Sequence, residues 1–65
     1  MLSKKILSLI NDQIWLENNA SFYYLRLSVE FNDKGFSGIS TFFLNQSNEE
    51  REHMIKLMMY AMEKD

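Results

Sequence analysis

The sequence has no cysteine and no proline, and only two glycines, Gly35 and Gly38, three apart near mid-chain. Without cysteine, disulfides, thiolate metal sites and cysteine nucleophiles are all excluded. With no proline and glycine confined to one spot, two long stretches carry no backbone breaker, which argues against a many-stranded β fold. No apolar run approaches the length of a membrane span. A basic stripe is missing as well. Seven Lys and Arg against nine Asp and Glu leave a formal charge of −2, so there is no electrostatic footprint for nucleic acid. Lys4 and Lys5 ahead of Ile6-Leu7-Ser8-Leu9-Ile10 faintly imitate a signal-peptide start. Asn11-Asp12-Gln13 then closes the apolar run, and no small-residue cleavage site follows. The expectation is a cytoplasmic protein with neither nucleic acid nor membrane as its partner.

What is present points to helices. The 65 residues allow one thin domain, and 46% hydrophobic with 25% charged residues lies near the globular norm. A chain this short buries only about 60% of its unfolded surface. Lacking disulfides, it needs a metal or a partner chain. The fold class expected is all-α, an antiparallel αα-hairpin over residues 1–65. Ser3 is a candidate N-cap for a helix over about 3–31. Asn32-Asp33-Lys34-Gly35 opens a turn over about 32–37, with Gly35 suited to positive φ. Ser37 then caps a second helix over about 38–63. So short a connection makes the two helices antiparallel neighbours.

The hydrophobic pattern adds detail. One seam reads Ile6, Ile10, Gln13, Glu17, Ala20, Tyr24, Leu27, Phe31, and the other Ile39, Phe43, Gln46, Glu50, His53, Leu57, Tyr60. Alternating steps of four and three are the stripes by which one helix faces another. Each stripe is apolar toward its ends and polar at its middle. The hairpin register places Glu17, Glu50 and His53 in one cross-sectional layer, with Tyr24 two turns closer to the loop. Trp15, Phe22 and Val29 form a further apolar line on the first helix, and Leu2, Leu9, Leu16 and Tyr23 another. One neighbouring helix cannot cover all of these, so contacts between subunits are expected.

A carboxylate in a bundle seam is costly unless it is paired, hydrogen-bonded or bound to metal. Glu50-x-x-His53 puts a carboxylate and an imidazole on one helix face, about 5–6 Å apart at Cβ. That spacing suits two ligands of one ion, and Glu17 at the same height adds a third. The same layer also reads as a polar network in which Glu17 or Glu50 holds His53. Carboxylate-rich sites with one imidazole suit iron or manganese, and the lack of thiolates disfavours copper(I) and structural zinc.

Glu17, Tyr24 seven residues on, the Asp33-x-Gly35 turn and Glu49-Glu50-x-x-His53 together resemble the ferritin family, most closely its non-haem bacterial members. The opening Met-Leu-Ser-Lys-Lys-Ile with Asn11-Asp12-Gln13 is similar to the amino end of such subunits. The resemblance spans the chain but covers only the first two helices of a ferritin subunit. It implies half of a ferritin-like four-helix bundle, completed by missing helices or by a second copy in a homo-oligomer. It also implies an iron-storage protein with ferroxidase activity, oxidising Fe(II) to Fe(III) with O2 or peroxide at a di-iron centre. Manganese or zinc would be substitute metals. Glu17 would match the carboxylate ligand of the first helix, Glu50 the bridging carboxylate and His53 the imidazole ligand. Glu49 resembles a ligand of a third iron site, and Tyr24 matches the tyrosine beside the centre. Gln13 and Gln46 are candidates to hydrogen-bond the ligands. The competing reading is a non-enzymatic helical dimerisation module with a buried Glu/His network.

Overall fold

A computed structural model describes residues 2–64. It is an αα-hairpin of α1 (Lys4–Asp33) and α2 (Ser37–Lys64), forming a rod of 49 × 15 × 9 Å. Ser3, in an extended conformation, opens α1 by accepting the Ile6 N–H on its Oγ at 3.1 Å. Losing such a cap costs about 1 kcal/mol. The exit from α1 is a Schellman motif. Gly35 at φ 85° lets its N–H reach the Asn32 carbonyl at 3.0 Å and the Phe36 N–H reach the Phe31 carbonyl at 2.9 Å. The accompanying apolar contact is the edge-on packing of Phe36 on Phe31, 6.3 Å between ring centroids. The helix therefore continues through Asn32 and Asp33, because Gly35 supplies the stop. Phe36 in turn accepts the Ser40 N–H at 2.9 Å and starts α2, leaving a three-residue connection.

The line of closest contact between the helices is one residue away from the seams expected above. Leu7, Ile14, Ser21 and Ser28 are buried or half-buried at strict seven-residue spacing, and Ser40, Ser47, Met54 and Ala61 match them on α2. Two serine pairs cross the interface. The Ser21 Oγ donates to the Ser47 carbonyl at 3.1 Å, and the Ser47 Oγ donates to the Ser21 carbonyl at 2.8 Å. Toward the turn, the Ser40 Oγ donates to the Ser28 carbonyl at 2.7 Å, with the two hydroxyls 3.0 Å apart. Between the serine layers Tyr24 stacks on Phe43, which also stacks on Phe31. Serine is short enough to let two helix backbones approach within one hydroxyl's reach, a contact that counting apolar residues overlooks. Of the expected stripes, Ile10, Glu17, Tyr24, Phe31, Phe43, Glu50 and Leu57 do belong to the interface. Ile6, Gln13, Ile39, His53 and Tyr60 lie instead on an exposed flank.

Little apolar surface is hidden. Ile10, 9% exposed, is the one buried hydrophobic residue among those described. The Trp15, Phe22, Val29 line and the Leu9, Leu16, Tyr23 line are exposed on α1, as are Ile39, Phe42, Ile55 and Met59 on α2. Apolar surface on several sides of both helices fits packing against further helices. No helix among the described residues is long and apolar enough to cross a membrane.

Candidate metal centre

Next to the Ser21–Ser47 layer, one turn further from the loop, the hairpin gathers its ionisable groups. Glu17 precedes Ser21 by four residues and Glu50 follows Ser47 by three, so both carboxylates leave their helices on the same side of the serine pair. His53, one turn beyond Glu50, completes the set. One potential ligand atom from each of the three residues lies within 4.8 Å of the others. The His53 Nδ1 is 3.5 Å from the Glu17 Oε2 and 3.8 Å from the Glu50 Oε2. Burial is graded across the cluster: the side chains of Glu17, Glu50 and His53 are 14%, 23% and 55% exposed. The exposed edge of the cluster is His53, on the flank that also carries Gln13 and Tyr60.

Its electrostatics are those of two carboxylates short of positive charge. Gln13 donates from Nε2 to the Glu17 Oε1 at 2.9 Å, which secures one oxygen. The other, the Glu17 Oε2, is buried and accepts no hydrogen bond. The Glu50 carboxyl is held above its ordinary 4.5, first by its side-chain contact with the Glu17 carboxyl, then by burial and by like charge from Glu17. Glu17 is held below 4.5, first by the same contact with Glu50 and then by the Gln13 amide. Two close carboxylates cannot both ionise as freely as isolated ones, so the second proton is lost less readily than the first. A proton on Glu50 is one way to satisfy the pair; a cation in reach of the Glu17 Oε2 is the other.

The remaining expected residues fall around this cluster. Tyr24 is half-buried two turns nearer the loop, stacked on Phe43 and edge-on to Tyr23 at 6.0 Å in each case. Glu49 is exposed and outside the three-residue set, acting on it as a like charge beside Glu50. Gln13 hydrogen-bonds Glu17, whereas Gln46 is half-buried with no bond to Glu17, Glu50 or His53 among the described residues. The residues missed were Ser21 and Ser47. Their signal was available as serine repeating at seven residues on each helix, 21 and 28, then 40 and 47.

Residues 7–65 match the family model described as a ferritin-like domain. Over 63 residues, 97% of the chain, the sequence is 40% identical to the "Probable bacterial non-heme ferritin-like protein" of Haemophilus influenzae, of which the match covers 38%. Over 53 residues, 78% of the chain, it is 47% identical to the ferritin-1 heavy chain of Schistosoma mansoni, covering 31% of that protein. A match of the same extent is 49% identical to the ferritin heavy chain of Echinococcus granulosus. The chain spans about a third of the length of the curated relatives it matches. No solved structure gives a significant match.

Proposed function

The chain belongs to the ferritin-like domain family, and from that membership we propose that it serves iron storage, with Glu17, Glu50 and His53 binding Fe(II) for oxidation to Fe(III). The observation carrying this reading is the convergence of three ligand atoms within 4.8 Å around a buried, unbonded Glu17 Oε2. The donor set fits the substrate. Two carboxylates match the charge of one divalent cation, and oxygen with imidazole ligands suits iron.

Each residue has a distinct task. Glu17, the most enclosed, fixes the inner position, and Gln13 holds its second oxygen so that the carboxylate cannot rotate freely. Glu50 supplies the second carboxylate, and any proton it carries competes with the cation for the same oxygen. His53, half in solvent, is the ligand through which incoming metal first meets the site. Three ligands leave coordination positions for a second helix pair, seated on the open flank and supplied by a second copy or by further chain. A facing pair with like ligands makes room for two irons. Two Fe(II) give one electron each, together the two electrons that reduce a dioxygen to the peroxide level. Tyr24 lies two turns nearer the loop, beyond the Ser21–Ser47 layer, and exposed Glu49 adjoins Glu50 at the rim.

Adding Fe(II) in air to the wild type and to Glu50→Ala, while following ferric absorbance, tests the reading. Loss of one ligand should slow oxidation about tenfold or more. Equal rates in the two proteins would sink the ferroxidase reading and leave a polar network that only joins helices.

A further inference from the structure

Among the described residues the Ser21 and Ser47 side chains make no hydrogen bond to Glu17, Glu50 or His53, yet they form a buried helix-to-helix contact beside them. Each hydroxyl reaches past the partner's side chain to its backbone carbonyl, at 3.1 and 2.8 Å, with the two Oγ atoms 3.0 Å apart. At 6% and 4% exposure they are among the few buried residues of the hairpin. A side chain longer than serine cannot occupy this layer without pushing the helices apart. One helical turn away, about 5.4 Å along the axis, the same two helices carry Glu17 and Glu50.

We infer that the Ser21–Ser47 pair sets the carboxylate spacing of the metal site, making both serines positioning residues for metal binding. The inference rests on the metal-binding role proposed for Glu17, Glu50 and His53. Mechanically, the serine layer acts as the short spacer and the glutamate layer as the calibrated gap beside it. The separation is set by how small the two side chains are, and the crossed hydrogen bonds pin the register. The Ser28–Ser40 pair is the internal control. It has the same composition and a similar bond, 2.7 Å from the Ser40 Oγ to the Ser28 carbonyl, but it lies three layers from the glutamates, beyond Tyr24 and Phe43.

Co(II) is a suitable probe, because its visible spectrum reports both affinity and coordination number without redox chemistry. It would be titrated into the full-length protein as wild type, Ser47→Ala, Ser47→Val, Ser28→Val and Glu50→Gln, with helicity checked by far-UV circular dichroism. Ser47→Ala keeps the spacing and should bind Co(II) within about threefold of wild type. Ser47→Val should weaken binding about 10- to 100-fold, the range for residues that orient a ligand, with an altered visible spectrum. Ser28→Val should leave affinity unchanged despite comparable loss of stability. Where Ser47→Val does not fold, Ser47→Thr, one methyl larger than wild type with the hydroxyl retained, should show a smaller loss in the same direction.

Wild-type affinity in Ser47→Val or, in its place, Ser47→Thr would overturn the inference. So would a loss in Ser28→Val as large as that in Ser47→Val, or a loss in Ser47→Ala as large as in Ser47→Val. Binding insensitive to Glu50→Gln would instead overturn the site reading on which the inference stands, and the two failures are therefore distinguishable.

Discussion

Replacing Glu50 by glutamine separates a metal site from a structural polar network by the sign of its effect. With both carboxylates ionised, charges within 4.8 Å repel by about 3.5 kcal/mol at an effective dielectric of about 20. Partial exposure of the two side chains and salt reduce this to about 1–2 kcal/mol. Glu50→Gln removes one charge at nearly constant shape. In metal-free protein at mildly alkaline pH it should therefore raise the thermal midpoint, at about 4–8 °C per kcal/mol for a chain of this size. Metal reverses the order. With Zn(II) at about 100 times its dissociation constant, wild type should gain about 2.7 kcal/mol by mass action, and Glu50→Gln very little. Melts followed by circular dichroism at one fixed protein concentration, with and without Zn(II), give all four midpoints. A metal-free Glu50→Gln protein less stable than wild type would show that the glutamate serves a supporting network. An undiminished Zn(II) response in the variant would refute its role as a ligand.

Protonation should tune the same site. Glu50 is raised above 4.5 in the folded hairpin, so its contribution to metal-free stability is full at low pH and fades as pH rises through that elevated value. Glu17 is lowered, so its contribution is present above 4.5 and is lost as pH falls through the depressed value. The pair is thus most favourable between the two. Zn(II) affinity, measured by competition with a chelating dye, should decline with falling pH earlier than for an isolated carboxylate. A pH-independent affinity over that window would contradict the raised position of Glu50. With so little apolar surface buried, helicity should rise with protein concentration in the micromolar range, whereas full helicity independent of concentration would show a self-sufficient hairpin. The two glycines should respond oppositely to alanine. Gly35→Ala should cost about 1–2 kcal/mol, because φ is 85° there. Gly38→Ala, with nothing within 4 Å of the added carbon, should gain a few tenths to about 1 kcal/mol. Chemical denaturation of both variants checks the contrast, and equal shifts would mean that Gly35 does not set the turn.

Much of the fold was readable because its signals are local. Ser3, the turn around Gly35 and the absence of any other breaker define two helices and their antiparallel order without reference to distant contacts. The Glu17, Glu50 and His53 layer was equally legible, since a three-residue connection converts position in the chain into height along the rod. The line of closest contact was not. Serine at 21, 28, 40 and 47 carries no apolar signal, and its value lies in shortness, which matters only once two backbones are brought together. The chosen stripes therefore combined true interface positions such as Ile10 and Glu17 with neighbours such as Ile6 and His53 that face outward. That displacement has a physical source. The centre of the hairpin's contact includes four serines, whose short side chains leave no apolar mark on the sequence.

The three-residue connection has a consequence for how the chain tolerates changes in length. Everything from Glu17 round the turn to Glu50 works as a measuring tape. One residue inserted in either arm between the turn and the cluster rotates a ligand by about 100° and moves it about 1.5 Å along the helix. That takes the carboxylate out of reach of its partners. An insertion before Gln13 or after His53 alters the rod's ends and leaves the cluster assembled. The chain is thus divided into a central span whose length is fixed and two outer arms whose length is free to drift.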